Sequence, residues 1–196
     1  TNESFVGKIV NVDEELSEEK ELVQRAENDM LTGVLNKKTM EKRVSLMLKN
    51  RGDKYVIFYM VDLDNFKNVN DTLGHIYGDQ AIVETAQCLN KVFANQDCIG
   101  RLGGDEFAVC VSYQAFDEQG LLEFIGKKAQ EICAGNRRTY TDNASSVSIT
   151  SSIGVAYAPD MGDSFTELYT QADCALYYSK ANGKDQYHIY SPKDDN

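Results

Sequence analysis

Apolar and polar positions switch period along the 196-residue chain, and each pattern predicts an element. FVGKIVNV (5–12) has the make-up of a short strand. Residues 13–30 predict a helix with Val12, Leu16, Val23, Ala26 and Met30 near one face; the run suits an ordinary amphipathic helix as well as a coiled coil. A second helix is expected from Thr39 to Leu48, ended by Asn50-Arg51-Gly52-Asp53. YVIFYMVDLD (55–64) is nearly all apolar until it closes on two acids, as expected of a strand buried on both faces. Residues 65–74 and 76–95 predict two helices, separated around Gly74 and Gly78. RLGGDEFAV (101–109) sits inside a predicted hairpin over 98–111. There Gly103-Gly104 supplies the tight bend, because glycine adopts positive φ at little cost. Further on come a helix over 117–134, a strand over VSITSSIGVAY (147–157) and a helix opened by Ser164 and Glu167 as a capping box. That helix runs to near Gly183, and a short strand at YHIY closes the order.

Strands and helices in this order predict an α+β fold: a mainly antiparallel sheet of ferredoxin-like type with helices packed on it. The length suits one domain with a short appendage. Asp and Glu total 31 against 20 Lys and Arg, a formal net charge of −11. Such a surface argues against nucleic acid as the main partner, since phosphate backbones require basic faces. It leaves room for a small phosphate ligand held by a few lysines and a divalent cation. No apolar run approaches a membrane span and no secretory signal opens the chain, so no membrane contact by this segment is expected. The cysteines at 88, 98, 110, 133 and 174 are odd in number and lack a CxxC pair. They predict small buried hydrophobes in a reducing, cytoplasmic setting.

The acids raise the chemical question. If the 55–62 strand and the hairpin are neighbours, Asp62 lies beside Asp105 and Glu106 at one sheet end. Converging carboxylates repel one another unless a cation sits between them. Mg²⁺, a hard ion that prefers sites completed by substrate phosphates, is the natural one. Taken alone, Asp62 and Asp64 are better explained as helix N-caps, and a GGDE turn is as well explained as a solvated hairpin tip. The neighbouring segments shift that balance.

DMLTGVLNK (29–37), DLDNFKNVNDTLGHIYGD (62–79), RLGGDEF (101–107) and ADCALYYSKANGKD (172–185) form four ordered blocks. Together they resemble the GGDEF family, the diguanylate cyclases, over roughly residues 29–190. The resemblance implies a nucleotidyl-cyclase fold related to polymerase palm domains. It implies condensation of two GTP into cyclic di-GMP with release of pyrophosphate, dependent on Mg²⁺ ions in a pair, with Mn²⁺ as a substitute. Asp62, the Leu63 carbonyl, Asp105 and Glu106 would hold the metal. One acid of the Asp105–Glu106 pair would also help deprotonate the attacking ribose 3′-hydroxyl, and the sequence does not divide these roles. Gly103 and Gly104 would let the backbone approach the nucleotide. Asn70 and Asp79 match the guanine readers, a carboxylate accepting from guanine N–H donors and an amide able to donate; singly, Asn70 is more often a turn or cap residue and Asp79 a helix cap. His75 is expected as a packed or capping histidine with some prospect of touching substrate, and Phe66 as core or a wall of the base pocket. Lys67, Lys180 and Lys184 match phosphate contacts.

The chain also departs from the family pattern. Lys184 and Asp185 stand where arginine and asparagine are usual; lysine keeps the charge and loses the bidentate fork. Lys37 replaces a common arginine. The family's product-inhibition RxxD motif aligns with ANQD (94–97), where Ala94 lacks the guanidinium and Asp97 remains, so feedback through it is expected to be weak or absent. Because two 3′-hydroxyls must face two α-phosphates, a two-fold homodimer is expected. Residues 1–28 are expected to be the end of an upstream, PAS-like sensory domain and a signalling helix. Residues 29–191 would be the cyclase domain and 192–196 a tail, the full-length protein being either cytoplasmic or membrane-anchored. The alternative is a non-catalytic GTP-binding regulatory module acting through dimer contacts; relaxed base choice, giving mixed cyclic dinucleotides, is a lesser one.

Overall fold

The protein's structure, a computed structural model, describes Leu22, residues 24–93 and residues 98–195. The strand expected over 5–12, most of the helix expected over 13–30 and the 94–97 stretch lie outside the described residues. The described strands are β1 (Leu35–Asn36), β2 (Tyr55–Asp64), β3 (Cys98–Gly103), β4 (Glu106–Tyr113), β5 (Arg138–Thr141), β6 (Ser146–Ala158) and β7 (Tyr187–Ile189). The helices are α1 (Lys37–Lys49), α2 (Phe66–Leu73), α3 (His75–Val92), α4 (Glu118–Asn136) and α5 (Phe165–Ala181). The sheet order is β1-β3-β4-β2-β6-β5, with β7 alongside β6. Pairings are antiparallel except β1 with β3 and β6 with β7. This is the α+β architecture expected of a nucleotidyl cyclase.

β2 lies at the centre because its side chains can be buried on both faces. Ile57, Tyr59 and Val61 join Phe107, Val109, Ile153 and Val155 beneath α3 and α4. Val56, Phe58 and Met60 point the other way, with Ala108, Cys110 and Ala156, beneath α1 and α5. Period-2 alternation along one strand thus feeds two separate cores. A third, smaller cluster gathers Leu63, Val69, Tyr140, Val147 and Ile149 at the end of β2. β5 belongs to it; its RTYT sequence is too short and polar to be legible as a strand.

α5 is fixed at both ends. Ser164 and Glu167 form the expected capping box, each side chain satisfying the other's backbone amide. Toward the other end Ser179 Oγ donates to Ile153 O of β6 at 2.8 Å. Between them the helix presses on β6 so closely that a Cβ at Gly154 would collide with Ala172 O and Leu176 N. That glycine is required for the approach.

Several expectations need adjustment. The first helix stops at Glu27, so Met30 is not on its apolar face but 78% exposed in the turn that follows. Asp29 ends it: its carboxylate accepts from Thr32 N and Thr32 Oγ1 at 3.0 and 2.7 Å. The hairpin bend is displaced by one residue. Gly103 still pairs with Glu106, so the loop is Gly104-Asp105, and the register shifts between Arg101 and Gly103. One extra residue on β3, a bulge, moves the loop. The cysteines are free; four are buried and Cys174 is partly so. Burial pushes the Cys133 thiol up to about 11, which disfavours the thiolate. No helix among the described residues is long and apolar enough to cross a membrane.

Candidate active site

Strand register builds the site. Asp62, near the end of β2, is directly opposite Glu106 on β4 and Ser152 on β6. Directly opposed residues of an antiparallel pair project to the same face, so two like charges share it. Leu63 N donates to Asp105 O at 3.4 Å, which brings the hairpin loop over the strand end. A cavity of about 320 Å³ opens there, lined by Asp62, Leu63, Asp64, Asn65, Phe66, Lys67, Asp105, Lys180 and Lys184. A larger groove of about 700 Å³ runs along α4 beside Tyr187, but its mixture of Glu, Gln and Lys assembles no chemistry.

Electrostatics single out Asp62. Burial, above all, pushes its carboxyl up to about 6; Lys180 opposes the rise, and the charges of Asp105 and Glu106 add to it. Lys180 Nζ sits 2.8 Å from Asp62 Oδ2. Among the described residues no three His, Cys, Asp or Glu side chains already form a metal-binding group. The donor chemistry still fits a hard divalent cation: Asp62 and Asp105 line one cavity, and ionisation of Asp62 is opposed first by burial and then by the neighbouring Asp105 and Glu106 charges.

Asp64, two residues on, has a different environment. It is 2% exposed and accepts from Thr150 Oγ1 (2.7 Å), Ser152 Oγ (2.8 Å) and Asp185 N (3.1 Å). Neither acid caps a helix. Asn65 is the residue before α2, in a left-handed conformation with φ 64° and without a side-chain cap bond. The N-cap reading of Asp62 and Asp64 is therefore wrong, because both side chains turn toward α5 and its following loop.

The remaining candidates divide into groups. Lys67, Lys180, Lys184 and Phe66 line the cavity, Phe66 also packing against the core. Asn70, Asp79, His75, Gly103, Gly104 and Glu106 are not among its lining residues. Asn70 lies against Gly78, where any Cβ would collide with its carboxamide. Asp79 and His75 are exposed on the first turns of α3, so His75 is neither packed nor a cap. Glu106 is close enough to Tyr169 on α5 to help raise that phenol's pKa, after burial. The stretch 94–97, where the inhibitory motif would fall, is outside the described residues.

The sequence pattern offered Asp64 only the helix N-cap role and gave Arg101 none. Arg101 Nε and Nη2 donate to Gly104 O at 2.9 and 2.7 Å, while Nη1 reaches Asp29 Oδ1 at 3.2 Å. The hairpin loop is thereby tied to the turn that follows the first helix. For Asp64 a signal existed: in DLD the two acids are two apart on a strand and must share a face.

A family model described as "Diguanylate cyclase, GGDEF domain" matches residues 26–186. The chain belongs to the GGDEF domain family. It is 33% identical over 174 residues to the bifunctional diguanylate cyclase/cyclic di-GMP phosphodiesterase MucR of Pseudomonas aeruginosa, covering 87% of this chain and 24% of MucR. It is 35% identical over 175 residues to the biofilm architecture maintenance protein MbaA of Vibrio cholerae, covering 85% and 22%. The chain thus spans about a quarter of the length of these curated relatives. Among solved structures, the GGDEF domain of YfiN (TpbB) from P. aeruginosa matches with TM-score 0.77 and 30% identity, over 86% of this chain and 96% of that one. The coiled coil and GGDEF domain of DgcB from Caulobacter crescentus, in complex with c-di-GMP, matches with TM-score 0.78 and 28% identity, over 90% and 93%.

Proposed function

We propose that this GGDEF domain is a Mg²⁺-dependent diguanylate cyclase acting as a homodimer. The observation that carries the reading is one cavity with Asp62 and Asp105 on its wall and Lys67, Lys180 and Lys184 around it. Lysine ammonium groups bind a triphosphate as point charges. Asp62, the Leu63 carbonyl, Asp105 and Glu106 would hold Mg²⁺, which when bound neutralises their charge and polarises the phosphate. Lys180, now paired with Asp62, then becomes available to a phosphate oxygen. The ribose 3′-oxygen of one GTP attacks the α-phosphorus of the other. The bond to the β-phosphate oxygen breaks, pyrophosphate leaves, and the hydroxyl proton passes to an acid of the Asp105–Glu106 pair. Asn70 and Asp79 would read guanine; the Asn70 carboxamide makes no hydrogen bond among the described residues and is free to do so.

One domain holds one GTP, so the second half-reaction requires the site of a second copy facing it. Residues 13–30, read as a signalling helix, would pair across the dimer and set that facing. Incubation with GTP and Mg²⁺ should yield cyclic di-GMP by mass spectrometry, with a rate per protomer that rises with protein concentration. GTP binding without product would instead support the regulatory-module reading. An ATP competition in the same assay checks base choice.

A further inference from the structure

The last acid of β2 is spent on architecture rather than on the reaction. We propose that Asp64 is a positioning residue: its carboxylate locks the 183–185 turn, and so sets Lys184 where the triphosphate binds. The inference rests on the GTP reading above.

Both Asp64 oxygens are occupied. Oδ2 accepts from Thr150 Oγ1 and from the Asp185 amide, and Oδ1 accepts from Ser152 Oγ. Two of the donors belong to β6, the neighbouring strand. The third lies 121 residues away, in the turn after α5. That turn is strained. Among the described residues the non-glycine positions with positive φ are Asn65 (64°), Lys184 (63°) and Asp185 (49°); Asn65 and Asp185 adjoin Asp64, and Lys184 lies next to both. Asn65 follows Asp64 in sequence, Asp185 donates to it, and Lys184 Nζ reaches Asn65 Oδ1 at 3.3 Å. Asn and Asp visit the left-handed region readily, whereas a lysine holds it only where surrounding contacts over-determine it. Here the amide of Asp185 is held inside by Asp64, while its carboxylate is held outside by Arg137 Nε at 2.7 Å. Lys184 immediately precedes the clamped Asp185, its own amide on Ser179 O at 3.1 Å and its side chain on the cavity wall.

Asparagine separates positioning from charge. A carboxamide oxygen in the place of Oδ2 keeps both of its donors. The NH₂ in the place of Oδ1 donates to Ser152 Oγ once that hydroxyl turns round. Asp64→Asn therefore preserves all three contacts without the charge, and Asp64→Ala removes all three. A residue acting as cation ligand or base would tolerate neither.

The test uses the full chain with Asp64→Ala, Asp64→Asn, Lys184→Ala and the Asp64→Ala/Lys184→Ala pair. Hydrogen exchange is followed over 183–186, and GTP and GMP binding by calorimetry in Mg²⁺. Asp64→Ala should speed exchange across the turn and weaken GTP about tenfold, with GMP, lacking the β- and γ-phosphates, within about twofold. Asp64→Asn should stay close to the unsubstituted protein in both readouts. In the Lys184→Ala background Asp64→Ala should cost less than about twofold in GTP affinity, since the two act through one contact. Arg137→Ala, at an exposed position, should loosen the same turn to a smaller degree even if Asp64→Ala fails to fold. Unchanged exchange in Asp64→Ala and Arg137→Ala overturns the clamp, whatever the protein binds. Equal losses from Asn and Ala overturn it in favour of a charge-dependent role. Lost protection in a protein whose unsubstituted form binds no GTP overturns the GTP reading and leaves the clamp standing.

Discussion

The body of β2 and its last three residues belong to one strand, one register and one sheet, yet they obey different rules. From Val56 to Val61 every side chain is fully buried against apolar neighbours on one face or the other. Over Asp62–Asp64 the same alternation delivers carboxylates to the α5 side and Leu63 to a small separate cluster. The body gains free energy from burial, at about 25 cal/mol per Å² of apolar surface. The end retains a carboxyl whose ionisation the fold opposes. Stability and chemistry are thus separated by a single residue step along the chain.

The comparison fails if substitutions at the two regions have the same consequence. Phe58→Ala should lose about 3–5 kcal/mol of stability through the cavity it leaves, seen as a lower urea midpoint. Asp62→Ala should lower the rate of cyclic di-GMP formation about 10²–10³-fold while the urea midpoint holds or rises. A matching stability loss at both sites would erase the distinction.

Asp62 also sharpens it through pH. Its folded-state pKa, raised to about 6 from an ordinary value of 3.8, means that the fold binds this proton more tightly than the unfolded chain does. Its stabilising contribution is full below the ordinary value and is lost as pH rises through about 6. Asp62→Asn in metal-free buffer should therefore gain about 1–2 kcal/mol at pH 7, discounted for solvent screening, and remove that pH dependence.

Asp29 has the opposite sign. Burial opposes its ionisation, but the bonds from Thr32 and the Arg101 guanidinium hold its carboxyl below the usual range. That stability is present at neutral pH and lost as pH falls through the depressed value. Arg101→Ala should cost about 1 kcal/mol at pH 7 and less in acid, read by thermal melts across pH. At the start of α5, Ser164→Ala should cost about 1 kcal/mol through the lost cap and leave the rate of cyclic di-GMP formation unchanged.

Much of this organisation was legible beforehand. The apolar run of β2, the capping box of α5 and the glycine-led hairpin are signals carried by residues close in sequence. β1 and β5 escaped because two and four residues carry too little periodicity to register. The hairpin loop was misplaced by one position because the bulge on β3 depends on pairing with β4. The expectation that His75 is packed or capping failed because Gly74 breaks the chain between two helices and leaves His75 exposed at the start of the second.

What the amino-acid order determined by itself was the longer elements and the identity of the acids and lysines, since propensity, capping and burial period act over a few residues. Only the tertiary structure decided that Lys180 would sit on Asp62, that Asp64 would be consumed by three donors, and that Arg101 would tie the hairpin loop to Asp29. Those pairings follow distance in space. Hydrogen bonds and close ion pairs form only at contact distance, and the partners lie 72 to 121 residues apart along the chain.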